Sequence, residues 1–235
     1  VVLNCAYASD SYVGTYQITV NGQYESDNYS FTYVPGSVTV KTRTVYVTAQ
    51  AVDREYKPGD VKVTVNFSSL SNVRPGDEGN ISLASSSVEG TVATDTAGKK
   101  TVDYILPELS GTVAQNYELK ILNPNITVEI LKAHLAGVVL PTSAVMSYGD
   151  KLASARWTSG FEGADLGTFT MKDPMSTPKG VGTFTDVYKV VFTPYNSVNY
   201  ATVEEYITLT VERAVLNLEL SIVGSLSSGS KLRVV

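Results

Sequence analysis

An Asn-Tyr pair, an alternating apolar strand and a charged exit occur together three times in this chain of 235 residues. Asn28-Tyr29 leads to Ser37-Val38-Thr39-Val40 and leaves through Lys41-Thr42-Arg43. Asn116-Tyr117 leads to Ile126-Thr127-Val128-Glu129-Ile130 and leaves through Leu131-Lys132. Asn199-Tyr200 leads to the strand ending Ile207-Thr208-Leu209-Thr210-Val211 and leaves through Glu212-Arg213. The Tyr-to-Tyr spacings are 88 (29 to 117) and 83 (117 to 200). A signal that recurs at domain length marks tandem modules. A module of about 85 residues is long enough to bury a single small core.

The boundaries follow from the exits. Residues 1–42 read as the C-terminal part of a first module, 43–131 as a second, 132–213 as a third, and 214–235 as the start of a further one. The chain opens mid-pattern at Val1-Val2-Leu3 and reads as a piece of a longer protein. Within the modules, Thr15 to Val20, Ser30 to Val34, Val61 to Phe67 and Thr168 to Met171 alternate as strands. Asn21-Gly22, Lys57-Pro58-Gly59-Asp60 and Arg74-Pro75-Gly76-Asp77 are turn signals. Val187 to Thr193 is a β-branched apolar run, too short for a helix, and reads as a central strand. No window carries a long amphipathic helix. The expected fold is therefore all-β: tandem antiparallel β-sandwich modules of immunoglobulin-like form, in an extended rod.

Composition narrows the function classes. Hydrophobic residues make up 43% of the chain, which places it among globular proteins. The net charge of −5 argues against a nucleic-acid partner, because there is no basic excess to neutralise phosphates. No stretch of 18 apolar residues is present, so no membrane insertion is expected of this segment. Cys5 is the single cysteine and cannot form an internal disulfide; it reads as a small apolar residue of the strand Leu3 to Ala6.

The recurring pair has a structural rationale. An Asn side chain hydrogen-bonds local backbone and so tolerates turn geometry. A Tyr entering the sheet next can lay its ring over the core edge while its hydroxyl reaches backbone or water. The tyrosine corner of immunoglobulin-type sandwiches is the analogy. Tyr29, Tyr117 and Tyr200 are accordingly assigned structural roles.

Catalytic and metal signals are poor by comparison. His134 is the only histidine, follows a module boundary, and reads as solvated. Glu204 and Glu205 are adjacent, so on a strand they face opposite sides. Asp77-Glu78-Gly79-Asn80 and Glu25-Ser26-Asp27-Asn28 offer oxygens to calcium, but neither has EF-hand spacing. No Cys/His cluster suggests zinc. No enzyme activity, cofactor or metal is expected. The 15 tyrosines, against 6 Phe and 1 Trp, are the richest unusual feature. Tyr7, Tyr12, Tyr16, Tyr24, Tyr29 and Tyr33 fall close together, and exposed members could stack on sugars or fill peptide pockets.

The same residues carry a resemblance. Val13-Gly14-Thr15-Tyr16, Asn28-Tyr29 and Pro35-Gly36-Ser37-Val38-Thr39-Val40 resemble the end of an MBG-type repeat. Residues 43–131 resemble a YDG-type repeat, with a Tyr-x-x-Gly start at Tyr56, the Gly76-Asp77 pair, Ala97 to Val102, and Asn116-Tyr117. Residues 133–211 resemble related modules through Tyr148-Gly149, Val191-Phe192-Thr193-Pro194 and Asn199-Tyr200. The resemblance implies immunoglobulin-like modules of large bacterial proteins, secreted or attached to the cell surface, often adhesins, with no catalytic residues. The expected function is a non-catalytic stalk or spacer. The alternative is direct binding of a host glycan, a matrix protein or another bacterial chain. Neighbouring modules of the same chain are the other expected partners, and the segment itself is expected to be monomeric. Tyr200→Phe should mildly destabilise the third module; unchanged thermal melting would count against a corner role for Tyr200.

Overall fold

A computed structural model of the protein describes residues 2–22, 25–217 and 228–229. It is 45% strand and 3% helix. Two compact units are present, one of residues 1–134 with 198–200, the other of 135–197 with 201–235. Most of the expected further module over 214–235, together with Gln23 and Tyr24, lies outside the described residues.

The first unit begins with β1 (Val2–Cys5), β2 (Gly14–Asn21) and β3 (Gly36–Val40), which form one sheet with β2 in the middle. β2 alternates half-buried and exposed along its whole length, as its period-2 sequence requires. Then follow β4 (Arg43–Val47), β5 (Ala49–Ala51), β6 (Arg54–Glu55), β7 (Lys62–Phe67), β8 (Ser82–Leu83), β9 (Ser87–Thr91), β10 (Gly98–Thr101), β11 (Leu109–Ser110), β12 (Tyr117–Ile121) and β13 (Thr127–Leu131). The sheets β5-β7-β9 and β10-β13-β6 enclose one core. Ala49, Ala51, Val63 and Val65 supply one side of it, and Val128 and Ile130 the other. A second cluster of Val45, Ile81, Val113 and Tyr117 lies under the β4-β12 pair.

The second unit holds β14 (Ser143–Ser147), β15 (Arg156–Trp157), β16 (Gly167–Met171), β17 (Gly182–Pro194) and β18 (Val203–Glu212). They form one five-stranded sheet in the order β15-β14-β18-β17-β16. The apolar run Val187 to Thr193 lies in β17, which is paired on both sides, by β16 and β18. Both-sided pairing suits a strand with few polar side chains. Between Phe184 and Tyr188 its register shifts, and Asp186 takes φ 56° at the irregularity. Ile207, Leu209 and Val211 alternate into a core with Ala144, Met146, Leu152, Met171 and Val190.

Three of the strand pairings are parallel, where the sequence predicted antiparallel sheets. β4 runs parallel to β12, β6 to β13 and β14 to β18. Parallel neighbours need a long crossover, which strand periodicity does not reveal. Here the intervening chain between β4 and β12, and between β14 and β18, serves as that crossover. A second difference concerns Ser30 to Val34, expected as a strand but without strand pairing. Tyr117 of β12 pairs with Arg43, 74 residues earlier, and Thr208 of β18 with Ser143, 65 earlier.

Close packing constrains β16 at Gly167. A Cβ there would lie 2.5 Å from the Thr193 carbonyl oxygen and 2.6 Å from the ring of Phe192, which is fully buried. Gly167→Ala should therefore destabilise the protein by about 1–3 kcal/mol, the usual cost of overpacking. Thermal melting checks it: the variant should melt lower than Thr168→Ala, whose side chain is exposed, and equal melting would refute the constraint.

Candidate functional site

Two of the three Asn-Tyr turns reach backbone about one hundred residues earlier in the chain. In the first unit a one-turn 3-10 helix, Ala114–Asn116, delivers Asn116 and then Tyr117 at the start of β12. Both are buried. Asn116 Oδ1 accepts the backbone N–H of Val13 at 3.0 Å, a residue 103 positions earlier. Its Nδ2 is buried and has no partner among the described residues.

Tyr117 projects its hydroxyl to the Arg74-Asp77 turn. It donates to Asp77 Oδ2 at 2.6 Å and accepts the Arg74 backbone N–H at 3.2 Å. Arg74 Nη2 donates to the other carboxylate oxygen of Asp77 at 3.1 Å. Arg74 Nη1 donates to the Asp10 carbonyl at 2.9 Å, and the guanidinium stands 5.6 Å from the Tyr12 ring centroid. Asp77 is thus a buried carboxylate with both oxygens engaged. The Tyr117 hydroxyl, and then Arg74, hold its carboxyl below the usual Asp range against the opposing effect of burial. Burial and the Asp77 carboxylate push the Tyr117 hydroxyl up. Ser9, Val13, Lys41, Arg43 and Asn116 help to line a cavity of about 110 Å³ beside this cluster.

The second complete turn repeats the first contact. Val198–Tyr200 packs with the first unit. Asn199 is buried, and its Oδ1 accepts the backbone N–H of Ala97 at 2.9 Å, 102 positions earlier. Asn199 also hydrogen-bonds the Tyr56 side chain. Its carbonyl accepts the Ala133 N–H at 3.0 Å, and Ala133 forms a parallel bridge with Tyr200. Tyr200 packs edge-on against Tyr56, with ring centroids 5.3 Å apart.

The three turns therefore differ in what the Tyr does. Tyr117 reaches a carboxylate and a backbone N–H. Tyr200 meets an aromatic ring. Tyr29 is 74% exposed, and covers no core edge of the kind expected for it. The remaining sequence-selected residues are dispersed. His134 is exposed, and Cys5 is a free, half-buried thiol in β1. Glu204 accepts from Lys172 at 2.8 Å with Lys189 at 3.7 Å; the Lys172 bond chiefly holds its carboxyl below the usual range. Glu78 accepts its own turn's Gly76 N–H at 2.7 Å. Among the described residues no group of three or more His, Cys, Asp or Glu side chains is placed to hold a metal ion. No protein-family model matches this chain, and no curated protein matches it.

Sequence reasoning missed the donors. Val13 and Ala97 each precede a glycine that opens a strand, Gly14 of β2 and Gly98 of β10. They are 84 residues apart (13 to 97), close to the spacings of 88 and 83 between the tyrosines of the Asn-Tyr pairs. That spacing was a signal; the identity of the donor was not, because any residue except Pro offers the same N–H.

The Asp77 cluster sets an acid limit on the first unit. Asp77 has a lowered folded pKa, so its stabilisation is complete above the unfolded Asp value of about 3.9 and is lost as pH falls through the folded value. Asp60, in the same unit, is also held low and adds to the same limb. Tyr117→Phe removes the largest cause for Asp77. It should lower the melting temperature at pH 7 and shrink the further drop between pH 4 and pH 2.5. An unchanged acid drop in thermal melts at the two pH values would refute the coupling.

Proposed function

We propose that this chain is a non-catalytic structural spacer, built from tandem immunoglobulin-like sandwich modules of the MBG and YDG type, in a secreted or surface-attached, adhesin-like bacterial protein. The single observation that carries this reading is the repeated capture of an upstream backbone N–H by a turn asparagine. Asn116 takes that of Val13, and Asn199 that of Ala97, at separations of 103 and 102 residues. A contact that recurs with the module period is what a string of similar units requires at each join. It uses backbone, so it tolerates divergence of the side chains around it.

The modules of this reading are 1–42, 43–131 and 132–213. Their joins lie near the exits at residues 41–43 and 131–132. A spacer needs no binding cleft, and the residue clusters near these joins are engaged with one another: Arg74 with Asp77 and Asp10, and Asn199 with Ala97 and Tyr56.

A second reading, direct binding of a glycan or protein, is favoured by one observation, the exposed tyrosines of the first 33 residues. Two of them are already committed, since Tyr7 packs edge-on against Tyr16 and Tyr12 lies under Arg74. Tyr29 and Tyr33 carry that reading.

Solution scattering separates a spacer from a single globule. A compact particle of this length has a radius of gyration of about 17 Å. The spacer reading expects a value well above that, with a long tail in the distance distribution. A measured value near the compact figure would overturn it.

A further inference from the structure

β2, β10 and β17 are equivalent strands. Each opens with a glycine, at Gly14, Gly98 and Gly182. Each pairs antiparallel with the last strand of its module, and the opening glycine stands opposite an apolar residue at the end of that strand or one position before it. The partners are Val40 for Gly14, Ile130 for Gly98 and Val211 for Gly182. The residues preceding the glycines, Val13, Ala97 and Val181, are spaced 84 and 84 apart (13 to 97, 97 to 181). The position has a physical logic. Lying across from the end of the exit strand, it is the part of a module nearest to where the chain leaves. A unit joined in series starts beside it.

Two of these three positions have their N–H taken by an Asn-Tyr turn about one hundred residues further along. The third does not. Val181 is 49% exposed, and its N–H has no acceptor among the described residues. We infer that Val181 and Gly182 form a docking point for a further module of the same kind joined in series, whose Asn-Tyr turn places the asparagine Oδ1 on the Val181 N–H. The inference rests on the spacer reading above, and specifies the interaction by which such a spacer is extended.

The ligand chemistry is narrow. The occupant must present a side-chain carbonyl on a turn that enters a strand, as Asn116 does before β12 and Asn199 before β18. Aspartate would also accept, but would bring a charge into a site that is buried at both filled positions. The following tyrosine is free to vary in its contacts. Tyr117 uses its hydroxyl, and Tyr200 its ring.

The test extends the whole chain. A second copy of residues 132–213 is joined after Arg213, which places its Asn199-equivalent about 100 residues beyond Val181, close to the filled separations. Amide exchange is followed by NMR. The Val181 amide should exchange at least about tenfold more slowly than in the parent chain. The protection should disappear on Asn→Ala at the added turn, while the other amides of the added copy stay protected. Fast Val181 exchange beside a folded added copy overturns the inference. Should that copy fail to fold, a copy of residues 43–131 replaces it, with its Asn116-equivalent in the same role. In the parent chain, Asn199→Ala should speed exchange at Ala97; an unchanged Ala97 rate also overturns the inference. A swinging chain of modules would leave Val181 fast and still scatter as an elongated particle, so this failure is distinguishable from failure of the spacer reading.

Discussion

The parallel pairing that joins the first strand of a β unit to the strand entered from its Asn-Tyr turn is the constraint on which the rest depends. β4 with β12, and β14 with β18, bring together residues 74 and 65 positions apart. Closing a loop of that length costs about 4 kcal/mol of chain entropy beyond a constant. No local hydrogen bond can offset this. The offset comes from apolar side chains such as Val45 and Val47 on β4, and Leu209 and Val211 on β18, each fully buried. Each contributes about 1.5–3 kcal/mol by leaving water.

The Asn-Tyr turns show how one dipeptide takes different physical roles. Asparagine behaves alike where its strand is paired: buried, with Oδ1 on an upstream N–H, at both Asn116 and Asn199. A fixed acceptor meeting a backbone donor needs nothing of the residue that supplies the donor. Tyrosine behaves differently each time because a ring and a hydroxyl depend on what the surrounding loops present. Asp77 meets Tyr117, and Tyr56 meets Tyr200. Tyr29 belongs to a segment without a paired strand and remains in solvent.

The acidic turn at Asp77 illustrates the limits of local chemistry. As a sequence, Asp77-Glu78-Gly79-Asn80 offers oxygens to a cation. In the fold, the two oxygens of Asp77 are taken by the Tyr117 hydroxyl and the Arg74 guanidinium. A buried carboxylate with both oxygens engaged is stabilising only while ionised, so the same residue that organises the turn also sets an acid sensitivity. Removing one partner leaves the buried charge under-solvated.

The amino-acid sequence by itself determined the all-β character and most strand positions. Val61 to Phe67, Thr168 to Met171 and Val187 to Thr193 alternate or run apolar in ways only a strand satisfies, because side chains on a pleat repeat every two residues. It also picked out Asn116 and Asn199, although for local turn geometry and not for the distant N–H groups they accept. Which strands are neighbours, and in which direction, was decided by tertiary structure. Parallel and antiparallel partners present the same alternation, and a crossover of some seventy residues leaves no mark on local pattern. The donors at Val13 and Ala97 were invisible for a related reason: a backbone N–H has no residue identity, so only the folded chain shows which one an asparagine reaches.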